Sequence, residues 1–146
     1  MRTSRLRAAA LAVAFFFSFP AMLTALNGQI IYTEGDVAVR SAGGTRDAVI
    51  GDALAAGDTV VTGPASLAVI DLANRTTLKL REKTTVAIDS IGEATSVTLT
   101  VGGVFTSIAG KLTGRFSLHT DSAVAGVRGT QFFVAYGRSI DAKPDV

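Results

Sequence analysis

From Gln29 onward, apolar and polar residues alternate with a period of two, in short runs separated by glycine. A period of two places successive side chains on opposite faces of an extended chain, so the runs predict strands. The stretches that fit are Ile30 to Tyr32, Val37 to Arg40, Thr59 to Thr62, Ser66 to Leu72, Thr76 to Arg81 and Thr84 to Asp89, followed by Ser96 to Val101, Val104 to Ile108, Phe116 to Thr120, Ala123 to Val127 and Gln131 to Tyr136. All are rich in Val, Ile, Thr or Phe, residues that suit a pleated surface. After residue 26 no stretch repeats apolar residues at helical spacing, so the pattern predicts one all-β domain.

Within the runs, faces can be assigned. Leu78 and Leu80 oppose Lys79 and Arg81, Val86 and Ile88 oppose Thr85 and Ala87, and Val97, Leu99 and Val101 oppose Thr98 and Thr100. Ser66 to Leu72 is apolar on both faces, with Leu67 and Val69 on one and Ala68, Ile70 and Leu72 on the other, which predicts a central strand. Gly35-Asp36, Gly51-Asp52 and Gly57-Asp58 read as turns, as do Gly43-Gly44, Gly63-Pro64 and Gly102-Gly103. About ten short strands at this spacing are expected in a sandwich, a jelly roll or a β-solenoid, and the three Gly-Asp turns hint at stacked coils.

The first 25 residues break the pattern. Arg2, Arg5 and Arg7 precede an apolar run from Ala8 to Phe19, followed by small residues at Ala21, Thr24 and Ala25. That is the layout of a secretory signal helix, cleaved after Ala25. Stretched to Leu26, the same segment approaches the ~20 residues of a membrane span, so an uncleaved anchor is the rival. Both send the rest of the chain across a membrane. The charge then changes meaning. The whole chain carries 14 basic and 12 acidic residues, but after residue 25 there are 11 and 12, so the basic character belongs to the N-terminus. Nothing in the domain suggests a nucleic-acid surface. With no cysteine, the exported domain must fold on packing alone, without disulfides or a lipidated thiol.

Candidate chemistry is sparse. His119 is the only imidazole, and no Cys, second His or carboxylate cluster accompanies it at ligand spacing, so no metal or cofactor is expected. Gly110-Lys111 resembles a fragment of a phosphate-binding loop, but Phe105 and Leu112 occupy positions that motif reserves for Gly and a hydroxyl; the segment reads as a strand followed by a hairpin turn. Asn74-Arg75-Thr76 matches a glycosylation triplet and reads as a hairpin between two strands. There is no nucleophile elbow, and only carboxylates converged by the fold, such as Asp58, Asp71 and Asp89, could supply acid-base chemistry. No enzyme is therefore expected. In Val127-Arg128-Gly129-Thr130, Gly129 is expected to make a bulge or tight bend, with Arg128 held by a carboxylate or by strand-end carbonyls.

Three stretches together carry a family resemblance: Glu34-Gly35-Asp36-Val37; Ile50 to Ser66, containing Gly57-Asp58-Thr59-Val60-Val61-Thr62-Gly63-Pro64-Ala65-Ser66; and Ala123 to Phe132, containing Val127-Arg128-Gly129-Thr130. In this order they resemble the FecR domain family across residues 29–137. The resemblance marks Gly57, Asp58, Thr62, Gly63, Ser66, Arg128, Gly129 and Thr130 as structural motif residues. It implies a periplasmic all-β domain, solenoid-like or jelly-roll-like. In founding members of that family the domain takes a signal from an outer-membrane transporter and passes it through a membrane helix to a cytoplasmic segment that controls a sigma factor. Here only seven residues precede the apolar run, too few for such a segment, so the chain resembles the stand-alone exported branch. Similar domains continue with further strands, whereas the polar stretch 138–146 ends this sequence; a truncated domain would leave Phe132, Val134 and Tyr136 on an incompletely covered edge strand, a site of association.

The expected organisation is a signal peptide or anchor at 1–25, a FecR-like β domain at 26–137 and a polar tail at 138–146. The expected function is a non-catalytic periplasmic sensory or protein-interaction module whose partner is another envelope protein, with membrane contact only if the N-terminal segment is retained. The alternative is an envelope glycan or peptidoglycan binding module, for which only Tyr32 and Tyr136 could form an aromatic platform. Oligomeric state is left open.

Overall fold

The computed structural model describes residues 28–73, 75–110, 114–127 and 130–137. The expected signal helix or anchor, Asn74 of the glycosylation triplet, Lys111 and Leu112, Arg128, Gly129 and the tail at 138–146 lie outside these residues.

Twelve strands form in chain order: β1 (Gly28–Glu34), β2 (Val37–Ser41), β3 (Gly44–Asp47), β4 (Ala53–Leu54), β5 (Thr59–Thr62), β6 (Leu67–Leu72), β7 (Thr76–Leu80), β8 (Thr85–Ser90), β9 (Ala94–Ile108), β10 (Arg115–His119), β11 (Val124–Val127) and β12 (Thr130–Tyr136). The described residues are thus all-β, as the period of two predicts. β3 and β4 fall where no strand is expected. Gly44-Thr45-Arg46-Asp47 has no apolar position to reveal it, and two residues are too few to show a period.

The strands join into one open, curled sheet of two leaves. One leaf runs β4-β1-β6-β7-β9-β12 and uses the second half of β9; the other runs β3-β2-β5-β8-β9-β10-β11 and uses its first half. Every pairing is antiparallel except β9 with β10. Stacked solenoid coils pair in parallel, so the coils hinted at by the Gly-Asp turns do not form. The parallel pairing also corrects the hairpin expected after Ile108, because β10 lies beside the first half of β9 rather than folding back on the second.

Four lengths of chain cross between the leaves along one corner: β1 into β2, β5 into β6, β7 into β8, and β9 itself. β9 corrects the expectation of two strands with a turn at Gly102-Gly103. Its buried positions are Thr95, Val97 and Leu99 in the first half and Val104, Thr106 and Ile108 in the second. The inward face therefore changes from odd to even at the glycine pair, which bends the strand without ending it. Gly102 sits at φ +107°, and a Cβ there would lie 2.5 Å from the backbone Cα of Thr84, so this bend admits glycine alone.

The inner faces enclose one core containing Ile30, Val39, Leu54, Val60, Ile70, Leu78, Leu80, Val86, Ile88, Val97, Leu99 and Leu118, all at or near zero exposure. Phe116 of one leaf and Phe132 of the other meet across it with ring centroids 6.3 Å apart. β6 is internal, paired to β1 and β7, with Ala68, Ile70 and Leu72 buried and Leu67 and Val69 half-buried on the other face. That is the central strand expected from its two apolar faces.

Candidate functional site

Three of the residues marked by the resemblance, Thr62, Gly63 and Ser66, meet at the corner. Thr62 is buried, its hydroxyl donates to the carbonyl of Arg81 at 2.6 Å, and the same oxygen accepts the N–H of Thr84 at 2.9 Å. The N–H of Gly63 donates to the carbonyl of Asp36 at 2.8 Å, and the carbonyl of Gly63 accepts the N–H of Lys83 at 2.9 Å. Ser66 Oγ accepts the N–H of Asp36 at 2.8 Å and donates to the carbonyl of Pro64 at 2.9 Å. Thr84 Oγ1 continues the series by accepting the N–H of Gly103 at 3.0 Å. All four crossings are thus stitched side by side. Their backbone groups are turned away from strand partners by the bend, and the Thr and Ser hydroxyls replace those partners. Leaving one buried donor unmade costs ~1–3 kcal/mol, so Thr62, Gly63 and Ser66 act together as a structural corner.

Gly57 and Asp58 do a different job. The N–H of Asp58 donates to the carbonyl of Ala55 at 3.1 Å, Asp58 Oδ2 accepts the N–H of Ala55 at 2.9 Å, and Gly57 between them has φ +95°. Val49 to Asp52 repeats this turn with the matching bonds at 3.1 and 3.0 Å. Both are tight turns that need a positive φ at their third residue. The remaining pair, Gly35-Asp36, is the first corner crossing instead. Asp52 also pairs with Arg46. The Val49 N–H is the main cause holding its carboxyl below the ordinary value; Arg46 adds to this and desolvation opposes it.

Thr130, the last motif residue, opens β12 opposite Ile108 at the far end of β9. It is therefore not part of the corner assembled by Thr62, Gly63 and Ser66.

The residues weighed for chemistry stay apart. Asp89 Oδ2 accepts from Thr98 at 2.7 Å, Asp58 closes its own turn, and Asp71 is exposed on β6 in the opposite leaf. His119 Nε2 lies 3.1 Å from Ser117 Oγ, two residues away on the same face of β10, as a period of two sets them. Among the described residues no group of three or more His, Cys, Asp or Glu is placed to hold a metal ion. Tyr32 on β1 and Tyr136 on β12 are separated by β6, β7 and β9, roughly 19 Å at ordinary strand spacing. They form no common platform. Tyr32 instead donates to Glu34 Oε2 at 3.1 Å, a bond that, with the charge of Glu34, raises its pKa above the ordinary value.

Two surface features remain. The first is the edge of β12, which pairs with β9 alone among the described strands. Phe132, Val134 and Tyr136 are half-buried against the core and Phe133 is exposed. The second is a row across the outer face of the same leaf, where Tyr32, Val69, Lys79, Phe105 and Phe133 stand opposite one another on five successive strands. Beside this row an open groove of about 610 Å³ is bounded by Leu67, Phe105, Phe133, Lys79, Arg81 and the corner residues Ala65, Ser66 and Glu82.

Compared with known families, the chain matches the one described as FecR protein over residues 58–143. No curated protein and no solved structure matches it.

Proposed function

The chain belongs to the FecR protein family, and from that premise we propose that it is an exported, non-catalytic interaction module that acts in the periplasm as part of envelope signalling. The family's role in envelope signalling supports a protein partner. The observation that carries the docking surface is β12.

Unpaired strand edges are templates for another strand, and folded proteins protect them with charge, proline or brevity. Among the described edges, β3 carries Arg46 and Asp47, β4 has two residues and β11 has four. β12 has seven, Thr-Gln-Phe-Phe-Val-Ala-Tyr, with neither a charge nor a proline. A partner strand laid along it would gain main-chain hydrogen bonds and extend the leaf, the strand-addition mode of recognition. The N-terminal 25 residues, read as a signal peptide or anchor, would deliver the domain to that compartment.

The test is cross-linking in living cells from a photoreactive residue at Gln131, exposed on β12, followed by mass spectrometry. One envelope protein recovered repeatedly is the expected result. Recovery of glycan alone, or of nothing, contradicts strand addition at this edge.

A further inference from the structure

The groove on the outer face of the β12 leaf has an apolar floor and a cationic wall. Leu67 and Phe105 are half-buried there and Phe133 is 50% exposed, so the three form a contiguous apolar surface open to solvent. Lys79 and Arg81, both exposed on or just after β7, stand along it. Arg81 and Phe133 both flank Gly103, whose Cβ position would lie 3.7 Å from Arg81 Cδ and 2.9 Å from Phe133 Cζ. The acid on the rim, Glu82, accepts the N–H of Ala65 at 2.8 Å and so holds the corner loop. This local excess of positive charge stands on a domain whose acids outnumber its bases after residue 25.

We infer that the groove receives an extended acidic peptide segment, in which an apolar side chain enters between Phe105 and Phe133 while flanking carboxylates meet Lys79 and Arg81. The inference rests on the interaction-module reading and adds the chemistry of the partner. Apolar floor and cationic wall select jointly: a purely acidic segment leaves the phenyl rings wet, and a basic one meets like charge. Arg81 supplies a planar fork suited to a carboxylate, and Lys79 a second, less directional charge.

The experiment measures binding of two fluorescent peptides to the full chain by anisotropy. One alternates Glu with Phe and Val, and the other has Lys in place of every Glu. Two exposed ion pairs correspond to about a tenfold preference for the acidic peptide, and raising the salt to ~1 M shrinks it. The double variant Lys79→Glu with Arg81→Glu loses or reverses the preference, whereas Phe133→Ser weakens both peptides alike. Lys79→Gln with Arg81→Gln repeats the test if the charge reversal lowers the melting temperature. Equal affinity for the two peptides, or a preference unchanged in the double variants, overturns the inference. So does self-association of the chain that Phe133→Ser abolishes without any peptide preference, which assigns the groove to a second copy. A cross-link from Gln131 combined with equal peptide affinities removes the groove's chemistry and leaves the edge reading standing. The reverse combination removes the edge reading.

Discussion

Two pairs of buried threonines behave in opposite ways. At the corner, Thr62 and Thr84 give and receive hydrogen bonds that join the crossings of the chain. At the other end of the β12 leaf, Thr76 and Thr106 are equally buried, yet neither hydroxyl has a partner among the described residues. The corner is thus specified by polar geometry that tolerates few alternatives. The far end is held by apolar packing, which is less particular about position. β12 starts at that less particular end, with Thr130 opposite Ile108 and Phe132 opposite Thr106. The edge proposed for strand addition thus begins where two buried hydroxyls lack partners and ends beside the corner, with Tyr136 opposite Gly102.

The largest effect that can break this contrast is Gly102→Ala. Left-handed strain and a clash with backbone at 2.5 Å together cost about 3 kcal/mol or more, a large share of the stability of a small domain, and the loss is read by chemical denaturation. Next is Thr62→Val, which strands the Thr84 N–H and costs ~1–3 kcal/mol. The same substitution at Thr106 has the opposite sign. Replacing an unpartnered buried hydroxyl by a methyl leaves stability unchanged or raises it by up to about 1 kcal/mol, and a loss as large as at Thr62 contradicts the comparison. Phe133→Ser is expected to cost only about 1 kcal/mol because half of that residue is already in water.

The smallest effect concerns acid. Asp52 has its folded-state pKa lowered, so its contribution is present above the ordinary carboxyl value and is lost as pH falls through the lowered one. Thermal melts of Asp52→Asn between about pH 5 and pH 2.5 should show a shallower acid limb than the parent. Melts that run parallel contradict the assignment.

Much of the fold is legible in alternation alone. Leu78 and Leu80, Val86 and Ile88, and Val97 and Leu99 all face inward as their spacing predicts. What alternation cannot see is a strand that changes face without stopping: Gly102-Gly103 looks like a turn because paired glycines commonly mark one, and only the pairing of both halves of β9 with different neighbours identifies a bend. The motif residues Thr62, Gly63 and Ser66 stand out in the sequence, but their purpose does not. Ser66 meets Asp36 across 30 positions and Thr62 meets Arg81 across 19, so the corner exists only once the leaves have folded. The Gly-Asp turns are the reverse case, because every bond that closes them lies within four residues. The groove was invisible for the same reason as the corner. Leu67, Lys79, Phe105 and Phe133 come from four strands, and no spacing along the chain relates them.

Hydrogen exchange on the full chain tests the central contrast most directly. The amides of Lys83, Thr84 and Gly103, bonded within the corner, should exchange only through global unfolding, while those of residues 130–137 exchange through local opening of β12 and do so much faster. Equal protection of the two regions, or faster exchange at the corner, would contradict an adaptable β12 flank set against a fixed corner.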